Sequence, residues 1–325
     1  MIDASSSELE SKYHLALAEL VVVPHAARGK SVSVSEAATW LGCRSSLILD
    51  LIERGLPVVA YNNGSPMLEL VDIANLGLIA ATGKSVSETA EAHLLRYAAR
   101  EDRNYLEAQR WSLTSEYKCS CDDSAPWFVN TPAEDDFCNV GMFRQMLEGR
   151  AIRITVEFES RGQEVKVLPS PIAQIYVNMI DVLATGVLKY QWLTESLRSN
   201  PSLCAQLGVA DCLVTSQLLV SSLETAGFSA RTRCVTALGP ASVDHVWAEV
   251  LDESGTWVVL DPVFGIIGAR IRKEDPRVSP FTKRCAGLRT NRVLPWSYCH
   301  ENVVAYHQCT RPRPTANIVA KRLDI

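Results

Sequence analysis

Polar and apolar positions alternate with two different periods along the chain. VSVSEAATWLG predicts a short helix capped by Ser35, with Ala37, Ala38 and Leu41 at helical spacing and Gly42 as a stop. CRSSLILDLIERG repeats the pattern from about Ser45 to Gly55. LPVVAYNNGSPMLELVDI then reads as two short strands around Asn62-Asn63-Gly64. Val86 to Arg110 reads as helical, and Trp111 to Gly149 as irregular, broken by Pro126, Pro132 and the acidic run Glu134-Asp135-Asp136. AIRITVEFES and QEVKVLP alternate and predict a hairpin around Arg161-Gly162, followed by a mainly helical stretch to about Leu197. The tail from Pro276 reads as basic and irregular, with RPRP at 311–314.

The strongest periodicity lies between Gly208 and Gly265. ADCLVTSQLLVSSLETAGF predicts a helix with Asp211 as N-cap, Cys212 in its first turn and Gly227 at its end. SARTRCVTAL, VDHVWAEVLD and TWVVLDPVF predict three strands. The last two flank Glu253-Ser254-Gly255, and a three-residue loop closing on Gly fixes the register so that paired residue numbers sum to 508. Trp247 then faces Asp261, and His245 lies diagonally from Asp261 on the same face. A cysteine at a helix N-terminus with a histidine and a carboxylate on neighbouring strands is what thiol nucleophiles need. Helix amides and imidazolium favour the thiolate, and the carboxylate orients the ring.

This segment resembles the transglutaminase-like superfamily, whose core is related to papain-like cysteine peptidases. The resemblance rests on Cys212 opening a helix, Gly227-Phe228-Ser229-Ala230-Arg231, His245-Val246-Trp247-Ala248-Glu249-Val250, and Trp257-Val258-Val259-Leu260-Asp261-Pro262. The chain departs from the family pattern at Ala210, where Gly is usual, and at Leu213. The resemblance implies an α+β fold with the cysteine helix packed on an antiparallel sheet. It implies a catalytic triad of Cys212, His245 and Asp261, with no cofactor. Gln191 and Trp192 are the upstream candidates for the family's oxyanion stabiliser, and Trp247 and Arg231 are candidate substrate contacts. Acyl transfer through a thioester follows. Water would give a peptidase or amidase, and an amine acceptor a transglutaminase or acyltransferase. The expected partners are a peptide or acyl-thioester substrate and an amine, in a peptide-tailoring setting, with the oligomeric state left open.

Residues 31–75 resemble a winged helix-turn-helix. Their charge argues against DNA: Arg44 and Arg54 stand against Glu36, Asp50, Glu53, Glu69 and Asp72, a net of −3. The alternative function is a DNA-binding or scaffold protein whose transglutaminase-like domain is a non-catalytic sensor.

The chain has 325 residues, 47% hydrophobic and 21% charged, with a net charge of −5. This excludes a disordered or fibrous protein and a broadly basic nucleic-acid binder. The expected division is 1–110 (helical, with the helix-turn-helix-like unit), 111–170 (irregular segment and hairpin), 171–275 (catalytic core) and 276–325 (basic tail). MIDASSSELE lacks the basic start and apolar stretch of an export signal, and Leu15–Val23 is far short of the roughly 18 apolar residues of a membrane span, so a cytoplasmic protein without membrane contact is expected. Ten cysteines in such a compartment read mainly as buried thiols. Cys119-x-Cys121 with Cys138, and Cys299-His300 with His307-x-Cys309, lack CxxC spacing, so no metal site is expected. No G-x-S-x-G, Walker or dinucleotide glycine pattern occurs.

Overall fold

The computed structural model describes residues 4–98, 103–119, 126–133, 135, 137–238, 242–296, 305–307 and 315–323. Cys121, Cys299, His300, Cys309 and the RPRP tract fall outside these residues. The chain divides into two compact units, residues 1–92 with 189–211, and residues 93–188 with 212–325.

The first unit is helical around one core. The helix Val34–Leu41 carries a full capping box: Ser33 Oγ accepts from the Glu36 N–H, and the Glu36 carboxylate accepts from the Ser33 N–H. The cap is therefore Ser33, two residues before the expected Ser35. Gly42 closes this helix at φ 62°, where a Cβ would stand 2.7 Å from the Lys84 carbonyl. The helix Ser45–Glu53 follows, and then the hairpin Val58–Asn62 and Ser65–Glu69. Its two-residue turn, Asn63-Gly64, has both φ angles positive, as the twist of adjacent strands favours. The strand Ser31–Ser33 completes a three-stranded sheet. Leu41, Ile48, Leu51, Leu68, Ile73 and Leu76 fill the core together with Tyr13 of the helix Ala4–Glu19.

The second unit holds two four-stranded antiparallel sheets. One orders its strands Trp257–Leu260, Val243–Leu251, Ala230–Ala237 and Val293–Pro295. The helices Cys212–Thr225 and Ser170–Ala184 cover one face of it, where Leu219, Leu223, Ile172, Tyr176 and Ile180 meet Ala248, Val250, Val258 and Leu260. The other sheet orders Thr315–Arg322, Gln109–Lys118, Ala151–Ser160 and Cys138–Glu148. Trp111, Leu113, Ile154 and Val156 of that sheet share a core with Cys234, Leu294 and Trp296.

Four expectations are corrected here. The segment 111–149 is largely two long strands. The helix from Val86 ends at Ala98, and Gln109 already begins a strand. Ala151–Ser160 forms its hairpin with Cys138–Glu148 across the two-residue loop Gly149-Arg150, while Gln163–Glu164 pairs with Leu288–Arg289. The tail beyond Pro276 supplies a short helix, Pro280–Arg284, and several strands. Among the described residues no helix is long and apolar enough to cross a membrane.

Candidate active site

The sheet register delivers the expected geometry. Ala248↔Leu260, Glu249↔Val259, Val250↔Val258 and Leu251↔Trp257 all sum to 508. The loop closes with Gly255 at φ 83°, and the Asp252 carboxylate accepts from the Ser254 and Thr256 N–H groups. The Trp257 strand ends at Leu260, so Asp261 does not continue it. Asp261 is instead the N-cap of the helix Pro262–Arg272, with Pro262 at the first helical position.

That dual position gives the two Asp261 oxygens separate tasks. Oδ1 accepts from the Phe264 N–H at 3.0 Å, and Oδ2 meets His245 Nε2 at 2.7 Å. The Asp261 N–H donates to the Cys285 carbonyl at 3.0 Å, and the Tyr176 hydroxyl donates to the Thr282 carbonyl at 2.9 Å behind it. The carboxylate is thus fixed from both chain directions. The His245 ring lies 4.3 Å from the Phe264 ring, tilted by 31°, with the Trp247 indole edge-on at 6.4 Å.

Cys212 begins the helix Cys212–Thr225. The Ser216 hydroxyl, one turn along, contacts the Cys212 carbonyl at 2.7 Å and the Val246 carbonyl at 3.1 Å. One buried side chain therefore ties the first turn of the cysteine helix to the strand that carries His245. Cys212 lies close enough to the His245 ring to favour its charged form. Since Nε2 is taken by Asp261, Nδ1 is the nitrogen left for sulfur. All three groups are buried, with Cys212 the most exposed at 9%.

Burial works against a charged His245 ring. The Asp261 charge and hydrogen bond outweigh it, helped by Cys212, and push the pKa up to about 10. The ring is therefore an imidazolium at neutral pH, the form that stabilises an adjacent sulfur anion. The neighbouring Cys285 thiol is pushed well above its usual value by burial and then by the Asp261 charge. Cys43 and Cys204 rise to about 11, chiefly by burial.

The other expected site residues are engaged elsewhere. Trp247 is 3% exposed, and its indole N–H donates to Glu249 Oε1 at 3.2 Å. Glu249 Oε2 accepts from Arg231 Nε at 2.7 Å and from Arg233 Nε at 3.3 Å. The Arg231 guanidinium also stacks 3.7 Å from the Trp257 ring. Trp247 is thus a packing residue of a buried ionic cluster around Glu249, not an open substrate wall. Sequence reasoning missed this cluster. Its signal was present: Glu249 stands on the His245 face of its strand, directly opposite Arg231.

Gln191 and Trp192 belong to the first unit, where Lys189–Tyr190 pairs with Val209–Ala210. The Gln191 amide clamps Val21, accepting from its N–H at 3.0 Å and donating to its carbonyl at 3.1 Å. The Trp192 backbone is held in the same way by the Asn75 side chain. Asp211, expected as the cap of the cysteine helix, pairs its carboxylate with Arg198. Among the described residues no group of His, Cys, Asp and Glu side chains has the arrangement of a metal site.

Residues 183–262 match the model of the Transglutaminase-like superfamily. The stretch contains Cys212, His245 and Asp261, so this part of the chain is a transglutaminase-like domain. No curated protein matches the chain. A candidate cysteine protease from Cytophaga hutchinsonii is among the solved structures that resemble it, at 9% identity, covering 67% of this chain and 92% of that one, with a TM-score of 0.36.

Proposed function

We propose that the chain is a cysteine-dependent acyl-transfer enzyme acting on an amide bond of a peptide or peptide-like substrate. The observation that carries this reading is the buried His245–Asp261 hydrogen bond, with Cys212 at the start of its helix close enough to act on the same ring. Cys212 Sγ attacks the carbonyl carbon, and the thiol proton resides on His245 Nδ1. The imidazolium then protonates the leaving amine as the C–N bond breaks, which leaves an acyl thioester on Cys212 and a neutral ring. Water or an amine attacks the thioester next, giving its proton to His245. The C–S bond breaks, and the free acid or a new amide departs. Asp261 remains charged throughout, holding the ring so that Nδ1 faces sulfur.

Hydrolysis and amide formation share every one of these steps and differ only in what enters second. A peptide-tailoring role suits a catalytic unit accompanied by a separate helical unit that can hold a dedicated substrate. The test is turnover of a peptide-amide panel, with and without added amine, followed by mass spectrometry. Cys212→Ala is expected to abolish all product while leaving the circular dichroism spectrum unchanged. Product formed by a folded Cys212→Ala protein would refute the reading.

A further inference from the structure

One edge of the second sheet is open among the described residues. The sheet ends at Cys138–Glu148, which pairs on one side with Ala151–Ser160. Glu148 and Ala151 close a two-residue loop and so form a hydrogen-bonded pair. Along an antiparallel strand the backbone groups of alternate residues then turn to the other side. Phe143, Gln145 and Leu147 therefore present their N–H and C=O groups to the open edge. Such a row is a template for another strand. The side chains at this end leave it accessible, with Met146 52% and Leu147 65% exposed.

The charges on one face of the sheet specify which strand fits. Lys118 Nζ meets Glu116 Oε1 at 2.6 Å, Glu116 Oε2 meets Arg153 Nη2 at 3.2 Å, and Arg153 Nη1 meets Glu148 Oε1 at 2.9 Å. The sign alternates across three strands, and the ladder stops at the edge on a carboxylate. Arg144 lies on the Glu148 face of the edge strand, exposed and without an ion-pair partner among the described residues. Four residues of strand hold it about 13 Å from Glu148, too far to pair within one chain. An antiparallel copy of the same strand runs the other way and brings each Arg144 opposite the other copy's Glu148.

We propose that this edge is a homodimer interface. Two copies of the chain pair their Cys138–Glu148 strands antiparallel about a two-fold axis at Met146, and the two four-stranded sheets become one continuous sheet. In this register Arg144 faces Glu148 of the second copy, Met146 faces Met146, and Gln145 faces Leu147. Gln145 and Leu147 are residues whose backbone groups point outward, so they form the hydrogen-bonded pairs across the axis. The two Leu147 side chains lie diagonally to each other on the opposite face. A two-fold axis at Arg144 would satisfy the backbone equally but would oppose two guanidinium groups, and one at Gln145 would set Arg144 against Met146. The charges therefore select Met146. The contact spans only Arg144 to Glu148 on each copy, so an affinity in the micromolar range is expected rather than a tighter one. The surface is independent of the thiol chemistry proposed above.

The experiment is sedimentation velocity of the full chain from about 1 to about 300 μM, where a reversible monomer–dimer equilibrium is expected. Arg144→Glu turns both attractions into repulsions and should weaken the dimer at least about tenfold. Adding Glu148→Arg restores opposite charges across the axis and should recover most of that loss. Met146→Cys places two thiols on backbones about 4.5 Å apart, so that protein should cross-link to itself under mild oxidation, mapped by peptide mass spectrometry. Arg144→Cys stands about 13 Å from its counterpart and should not. A chain that stays monomeric to about 300 μM would overturn the proposal, and a peptide strand held at this edge in place of a second copy gives that result. So would a dimer indifferent to Arg144→Glu, a double variant no stronger than Arg144→Glu, or Arg144→Cys linking as readily as Met146→Cys. Because Met146→Cys keeps every charge, its cross-link reads the register even where a charge variant folds poorly.

Discussion

Replacing Asp261 by Asn removes the charge that keeps His245 protonated and retains a side-chain oxygen to cap the helix Pro262–Arg272. His245 stands at about 10 against an ordinary value near 6.5, and Asp261 is the largest cause raising it. Each unit is about 1.4 kcal/mol, so the raised affinity for a proton corresponds to about 5 kcal/mol. The folded pKa lies above the unfolded one. This stabilisation is therefore fully present below about pH 6.5 and is lost as pH rises through about 10. In Asp261→Asn the burial remains and the charge does not, so the ring should titrate at or below the ordinary histidine value and be neutral at pH 7. Two assays check this. Ring resonances should place the titration of wild-type His245 far above neutrality and that of the variant below it. Urea unfolding from pH 6 to pH 10 should show the stability gap between the two proteins narrowing as pH rises. A wild-type His245 titrating near pH 6.5, or a gap that is flat with pH, would refute the reasoning.

Other consequences follow from the same geometry. Glu249→Gln strips the shared carboxylate from Arg231 and Arg233, both anchored on it; urea denaturation should show a loss of about 3–5 kcal/mol, as expected when one partner of a buried ion cluster is removed. Gly255→Ala meets no atom within 4 Å but retains φ 83°, so equilibrium unfolding should report a cost of about 1–2 kcal/mol from backbone strain alone. Tyr176→Phe loses the bond to the Thr282 carbonyl behind Asp261, and should lower stability by about 1 kcal/mol in the same assay.

The transglutaminase-like segment was legible because its signals are local. Gly255 fixed a three-residue loop, the loop fixed the register, and the register put His245 beside Asp261. The second sheet was not legible, for reasons its residues explain. Gln109–Lys118 buries alternate positions, but two of these are Gln109 and Ser115, which blurs the apolar period. The far end of Cys138–Glu148 is exposed on both faces, with Met146 at 52% and Leu147 at 65%, so it carries no alternation. The true turn at Gly149 was passed over for Arg161-Gly162, where the glycine is required for a different reason: a Cβ there would stand 2.3 Å from the Tyr105 carbonyl. Thr315–Arg322 pairs with Gln109–Lys118 across some two hundred residues, a contact no local pattern encodes. At the site, the commitment of Gln191 to Val21 depends equally on a distant segment.

The central claim is that Cys212 is an activated nucleophile, and site-resolved alkylation tests it most directly. The folded protein and its His245→Ala variant would meet a limiting amount of a small thiol electrophile near pH 6, with modification mapped by peptide mass spectrometry. Burial holds Cys43, Cys204 and Cys285 in their thiol forms under those conditions. The account predicts that Cys212 is labelled well ahead of every other cysteine, despite being only 9% exposed, and that its lead disappears without His245. Labelling that follows exposure alone, with Cys43 ahead of Cys212 and no effect of His245→Ala, would contradict it.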